Sequence, residues 1–269
     1  MKMTARDQKL LDFLSDYGCF TTKQVCQAVF PETNSSTVLR RLRILEKQNL
    51  LHRNFGLENG KLVWSLSVSG ARKIGLESHP GSINRNTLEH TVLLNDIRLR
   101  LETLGVAKDW KPDHVLQRET KEKGYGTDYA GDILPDALFA AKVIKNKQHS
   151  IIALELELSL KGRKRYKEIF YQYDRKENVS LLWYIVPNDR YGLKLYKAWK
   201  EIKYKQEDGW FRWTTVKEIF GDPQKVELKN ATTSFFLTQR LESNLQTPQV
   251  ESAQTSAQPV SSLIKPVEN

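Results

Sequence analysis

Within the first 75 residues the apolar side chains change their period, and this change limits the folds open to the chain more than any other feature. Lys9-Leu10-Leu11-Asp12-Phe13-Leu14 has apolar residues at helical spacing, and Gly18 stops the run. Thr21-Thr22 can cap a short helix from Lys23 to Phe30, with Val25, Ala28 and Val29 on its apolar side, and Pro31 forbids its continuation. Asn34-Ser35-Ser36 can cap a third helix from Thr37 to Gln48, whose buried stripe is Val38, Leu39, Leu42 and Leu45. The period then becomes two. Residues 50–55 and 61–66 alternate around Glu58-Asn59-Gly60, and Asn-Gly is a strong hairpin-turn signal. Ser69 to Ile74 closes the segment with one more short helix.

Helix, helix, turn, helix, hairpin is the order of a winged helix-turn-helix, which places residues 1–75 in a DNA-binding domain. The charge agrees. The 269-residue chain has 42 Lys+Arg against 32 Asp+Glu, a net of +10, and residues 1–75 hold 12 against 6, or +6 of that excess. A surplus of this size points to a polyanionic partner, here double-stranded DNA. Ser36, Thr37, Arg40, Arg41 and Arg43 lie away from the apolar stripe of the third helix, where they can reach phosphates and base edges. Arg53 and Lys61 flank the hairpin, where a wing would meet the backbone or minor groove. The alternative is a solvated helix face on a domain that contacts protein.

Residues 76–86 contain Pro80, Gly81 and Ser82 and read as a linker. Residues 87–243 read as a mixed α/β domain. Its expected elements are a helix from Thr87 to Leu104, a strand from Trp110 to Arg118 and a glycine-rich loop over 120–131. Strands follow at Asp136 to Ala141 and Ser150 to Leu158, joined by a polar turn at Lys145-Asn146-Lys147. Then come a basic helix from Arg163 to Tyr173, a buried strand from Leu181 to Val186, a helix from Leu193 to Ile202 and a strand near Phe211 to Thr214. From Asn244 to the last residue there are no aromatics, three Pro, four Gln and four Ser, a composition that predicts a disordered tail.

Several classes are excluded. The apolar runs are far shorter than the roughly 20 residues of a spanning helix, so no membrane partner is expected. The first residues lack the apolar block of a secretory signal, and Cys19 and Cys26 make no disulfide framework, which points to a cytoplasmic protein. Neither cysteine has partners at zinc spacing, the five His are scattered, and there is no P-loop or dinucleotide fingerprint. His90, beside apolar residues on its helix, reads as a hydrogen-bonded structural histidine. Phe170, Tyr171, Tyr173, Trp183, Tyr184, Trp199, Trp210 and Trp213 could stack on bases, although packing in a core is the plainer use.

Pro135-Asp136 is followed nineteen residues later by Glu155-Leu156-Glu157. Strand alternation puts Glu155 and Glu157 on one face and Leu154, Leu156 and Leu158 on the other, so three carboxylates can converge at one sheet edge. Gathered carboxylates need compensation from a cation or strong donors. Mg²⁺ or Mn²⁺ held by Asp136 and Glu155 would polarise a phosphodiester and activate water. Otherwise Glu155 and Glu157 are a charged strand face paired with Lys or Arg.

A helix carrying Glu89, Pro135-Asp136, a hairpin, Glu155-x-Glu157, a basic helix and a strand, in that order, resembles the PD-(D/E)XK nuclease core. In that superfamily the Asp and the first acidic residue bind metal, and a lysine usually holds the third position. Here that position is Glu157, with Lys161 or Lys164 on the following helix as a migrated substitute. Asp136, Glu155, Glu157 and Lys161 are therefore the candidate catalytic residues. Many relatives with altered motifs are DNA-binding modules without chemistry, and a core requiring no cofactor is the expectation here.

A winged helix ahead of such a core more specifically resembles the plasmid replication-relaxation family, which includes accessory proteins of plasmid mobilisation. The resemblance is carried by His90 to Arg98, Pro135-Asp136-Ala137, Glu155-Leu156-Glu157 and Phe170-Tyr171-Gln172-Tyr173, within about residues 5–190. It implies DNA binding in the replication, relaxation, conjugative transfer or transcriptional control of a mobile element. The expected partners are a duplex site, a relaxase or another mobilisation protein and, because such readers bind paired half-sites, a second copy of the chain. The alternatives are a Mg- or Mn-dependent endonuclease or nickase and a protein-recruiting module.

Overall fold

Thr4 begins the first helix, α1 (Ala5–Tyr17), with a reciprocal cap: its hydroxyl accepts from the Asp7 N–H while the Asp7 carboxylate accepts from the Thr4 N–H. Gly18 ends the helix at φ +77°, a conformation that costs a side-chain-bearing residue. The computed structural model describes residues 3–54, 57, 60–76, 85–122, 133–141, 150–176, 178–202 and 209–237. The 244–269 tail, residues 77–84 of the linker, Glu58 and Asn59 of the hairpin turn, 123–131 of the glycine-rich loop and the Lys145–Lys147 turn lie outside the described residues.

A short strand absent from the sequence expectation, β1 (Cys19–Thr21), leads into α2 (Thr22–Val29), where Thr21 and Gln24 repeat the reciprocal cap. Next come α3 (Ser35–Lys47), capped by Asn34, then β2 (Leu51–Asn54), β3 (Val63–Leu66) and α4 (Val68–Lys73). The three strands form an antiparallel sheet in the order β1-β3-β2. This is the expected element order with one strand added. Leu10, Leu14, Leu42, Leu45 and Trp64 fill its core, whereas Leu39 of the expected stripe is only half-buried.

The second unit begins with α5 (Arg85–Thr103) and β4 (Lys108–Pro112). The strand expected to reach Arg118 ends at Pro112, and α6 (Asp113–Glu122) starts at the next residue, whose N–H still donates to the Asp136 carbonyl at 3.1 Å. β5 (Ala137–Ala141), β6 (Ser150–Leu156), α7 (Arg163–Asp174) and β7 (Leu181–Val186) follow. The next helix, α8 (Asp189–Lys200), starts four residues before the expected Leu193 because Asn188 caps it. Gly192, inside α8, is required by packing: a Cβ there would lie 2.3 Å from the Trp213 ring. β8 (Phe211–Thr215), α9 (Val216–Ile219), a 3₁₀ turn at Pro223–Lys225, β9 (Glu227–Lys229) and β10 (Ser234–Phe236) complete the described residues; the last four were not read from the sequence.

Seven strands of the described residues form one mixed sheet in the order β10-β9-β8-β7-β6-β5-β4. β6, β7 and β8 are parallel, joined by crossovers through α7 and α8, and the remaining pairs are antiparallel. One face packs Leu154, Leu156, Trp183 and Ile185 against Ile97 and Leu101 of α5. The other packs Ala153, Leu182 and Tyr184 against Phe170 and Tyr173 of α7 and Trp199 of α8. Among the described residues no helix is long and apolar enough to cross a membrane.

Candidate functional site

Asp136 stands immediately before β5, and β5 pairs antiparallel with β6 so that Ala137 faces Leu154. The acidic side chains of the two strands therefore meet at one edge. Asp136 Oδ2 accepts the Leu156 N–H at 2.7 Å and lies 3.3 Å from His90 Nε2 on α5. The same Nε2 lies 2.9 Å from the Leu156 carbonyl oxygen. Two acceptors around one ring nitrogen require that nitrogen to carry the proton. Burial disfavours a charged ring here. Hydrogen bonding to Asp136, its charge, the Leu156 carbonyl and Glu155 together overcome that penalty and raise the His90 pKa to about 9.

Glu155 points to the α7 face of the sheet, where the Tyr173 hydroxyl donates to its Oε1 at 2.5 Å. Burial, then the neighbouring charge of Asp136, push its carboxyl up to about 8, against the pull of Tyr173 and Lys161. Glu157 is buried and accepts from the Lys161 ammonium, while its N–H donates to the Ile185 carbonyl at 3.0 Å. The Tyr166 hydroxyl accepts the Lys161 N–H at 2.9 Å.

The edge thus gathers Asp136, Glu155, Glu157 and Lys161, and each carboxylate is held by its own protein donor: His90, Tyr173 and Lys161. Among the described residues no three His, Cys, Asp or Glu side chains are grouped to hold a metal ion. His90, Tyr173 and Lys161 each engage an oxygen of one carboxylate, so the protein itself supplies donors of the kind gathered carboxylates need. Glu89 is exposed on α5, and Lys164 is exposed on α7. His90, expected as a hydrogen-bonded structural histidine, has Asp136 and the Leu156 carbonyl as its partners, whereas the pairing of Tyr173 with Glu155 had no signal beyond its place in a segment that carries the family resemblance.

On the N-terminal unit Thr37, Arg40 and Arg43 are exposed along α3, and Ser36, also exposed, donates to Asn34 Oδ1 at the helix cap (N–H and hydroxyl, both 2.9 Å). Arg41 differs. Its Nε donates at 2.6 Å to Oδ1 of Asp7, a residue only 1% exposed, and its Nη2 to Oδ2, tying α3 to α1. Burial alone would raise the Asp7 carboxyl, but the Arg41 and Thr4 donors and the Arg41 charge hold it below its ordinary value. Arg53 Nε pairs with Glu46 Oε1 at 3.0 Å, and Lys61 is exposed.

α5 joins the two units. Gln24 Nε2 donates to the Val92 carbonyl and to Asp96 Oδ1, both at 2.8 Å. Asn95 donates to the Cys19 carbonyl, the Tyr17 hydroxyl donates to Glu102, and the Arg98 guanidinium lies 3.3 Å from the centre of the Tyr17 ring. The helix that presents His90 to the acidic edge is therefore also the helix against which α1, β1 and α2 dock.

No curated protein matches the chain. No solved structure matches it. A family model described as replication-relaxation matches residues 11–176, from within α1 to just past α7. That span covers more than half of the 269 residues and contains the exposed face of α3, the α5 junction and the acidic edge. The chain belongs to the replication-relaxation family.

Proposed function

We propose that this protein is a double-stranded DNA-binding accessory or regulatory factor of a plasmid or other mobile element, and that its nuclease-like sheet is not catalytic. The observation that supports it best is the outer face of α3, where Ser36, Thr37, Arg40 and Arg43 are exposed on a unit with a net charge of +6. In this reading α3 enters the major groove, Lys61 and the β2–β3 hairpin form a wing, and Arg41 braces α3 against α1. A relaxase or another mobilisation protein is the partner such a factor would recruit.

The pairing of the acidic edge supports the non-catalytic part. His90 on Asp136, Tyr173 on Glu155 and Lys161 on Glu157 supply the compensation that gathered carboxylates need. Incubation of the full chain with supercoiled plasmid and Mg²⁺ or Mn²⁺ tests the proposal. The expected result is retarded but intact plasmid. Nicked or linear product that disappears in Asp136→Ala would replace the reading with that of a metal-dependent nuclease.

A further inference from the structure

Basic residues are concentrated a second time, over residues 161–176, which hold seven Lys/Arg against two Asp/Glu. Most of this stretch is α7, whose inner face of Tyr166, Ile169, Phe170 and Tyr173 is buried against the sheet. Some of its cations are engaged on the surface: Arg163 and Lys167 reach Glu201 at 2.6 and 3.2 Å, and Arg165 reaches Glu168 at 3.2 Å. Lys164, Arg165, Tyr171 and Arg175 remain exposed on the outer side.

Tyr171 stands out among the eight aromatics singled out in the sequence. It is 58% exposed, whereas Phe170, Tyr173, Trp183, Tyr184, Trp199, Trp210 and Trp213 are all buried. The Arg175 guanidinium flanks its ring at 5.7 Å from the centre. A large ring presented to water contributes nothing to this core, and a base-paired duplex offers it no base face. An unpaired strand offers both bases to stack and phosphates for the cations on either side. From Lys164 to Arg175 the helix spans about 16 Å, enough for more than one nucleotide.

We propose that the outer face of α7 is a binding track for unpaired DNA, with Tyr171 stacking on a base and Lys164, Arg165 and Arg175 holding the backbone. The track is separate from the α3 face, so the protein would hold a duplex at one surface and an opened strand at the other. The two sites fail independently.

The test is fluorescence anisotropy of the full chain with a labelled oligothymidine, which cannot pair with itself, alongside a labelled duplex. The expected result is salt-dependent oligothymidine binding that weakens about tenfold in Tyr171→Ala, the loss of one stacked base, and is retained in Tyr171→Phe. Lys164→Glu/Arg165→Glu should weaken it and flatten its salt dependence, with the helical circular dichroism signal unchanged. Duplex affinity should be the same in Tyr171→Ala as in the wild type. Absence of oligothymidine binding by the wild type, or undiminished binding by both Tyr171→Ala and Lys164→Glu/Arg165→Glu, would overturn the proposal.

Discussion

His90 Nε2 and Asp136 Oδ2 lie 3.3 Å apart, so the carboxylate at the head of β5 faces an imidazole supplied by the helix against which the N-terminal unit docks. Glu155, Glu157, Lys161 and Tyr173 lie at the same edge. The acidic edge thus carries ion pairs and hydrogen bonds whose donors the protein itself supplies.

This arrangement makes stability depend on pH in a defined direction. The folded-state pKa of His90 is about 9, above its ordinary value near 6.5, so its contribution is complete below pH 6.5 and is lost as pH rises through 9. Glu155, raised to about 8, acts in the same direction, because its buried carboxyl must ionise as pH rises. Urea midpoints measured from pH 6 to 10 should fall across this window. His90→Ala should be less stable by about 2 kcal/mol at pH 6 and show a shallower decline. A wild-type midpoint that is level or rises over the window would contradict the pairing.

Arg40 and Arg41 are adjacent in sequence but serve different ends. Arg41→Ala leaves the buried Asp7 carboxylate without its guanidinium and should cost about 2–4 kcal/mol of stability. Arg40→Ala, on an exposed position, should shift stability by less than about 0.5 kcal/mol while weakening duplex binding. Chemical denaturation of the two variants checks the difference, and equal losses would refute the division of roles.

Arg98 locks the junction between the two units: it stacks on Tyr17, donates to Glu102 at 2.8 Å and donates to the Asp16 carbonyl at 3.2 Å. In Arg98→Ala, amide exchange should accelerate in residues 15–21 and along α5, with β6 and β7 unaffected. Unchanged protection at the junction would show that the docking rests elsewhere.

Much of this fold was legible because the sequence patterns are local. Asn34 before a helical stripe, Gly18 after one and the uninterrupted apolar run Leu181 to Val186 each report their own element. The path after Pro112 departs from the expected strand because residues 113–118 have no clear period, and α6 begins there. The small strand β1 depends on β3, a partner distant in sequence, and β9 and β10, three residues each, are too short to show a period. At the acidic edge Asp136, Glu155 and Glu157 were legible by spacing, and their gathering followed from strand alternation. What compensates them was not, because His90 and Tyr173 reach the edge from helices on opposite faces of the sheet. Arg41 was indistinguishable from Arg40 until α1 brought Asp7 beneath it.

The most direct test of the account is the salt dependence of duplex binding by the full chain, compared with Arg40→Ala/Arg43→Ala, by anisotropy of a labelled duplex. The account predicts that the wild type binds, that log K falls linearly with log salt, and that the double variant binds more weakly with a slope reduced by about two. Absence of duplex binding, or a double variant with wild-type affinity and slope, would contradict it.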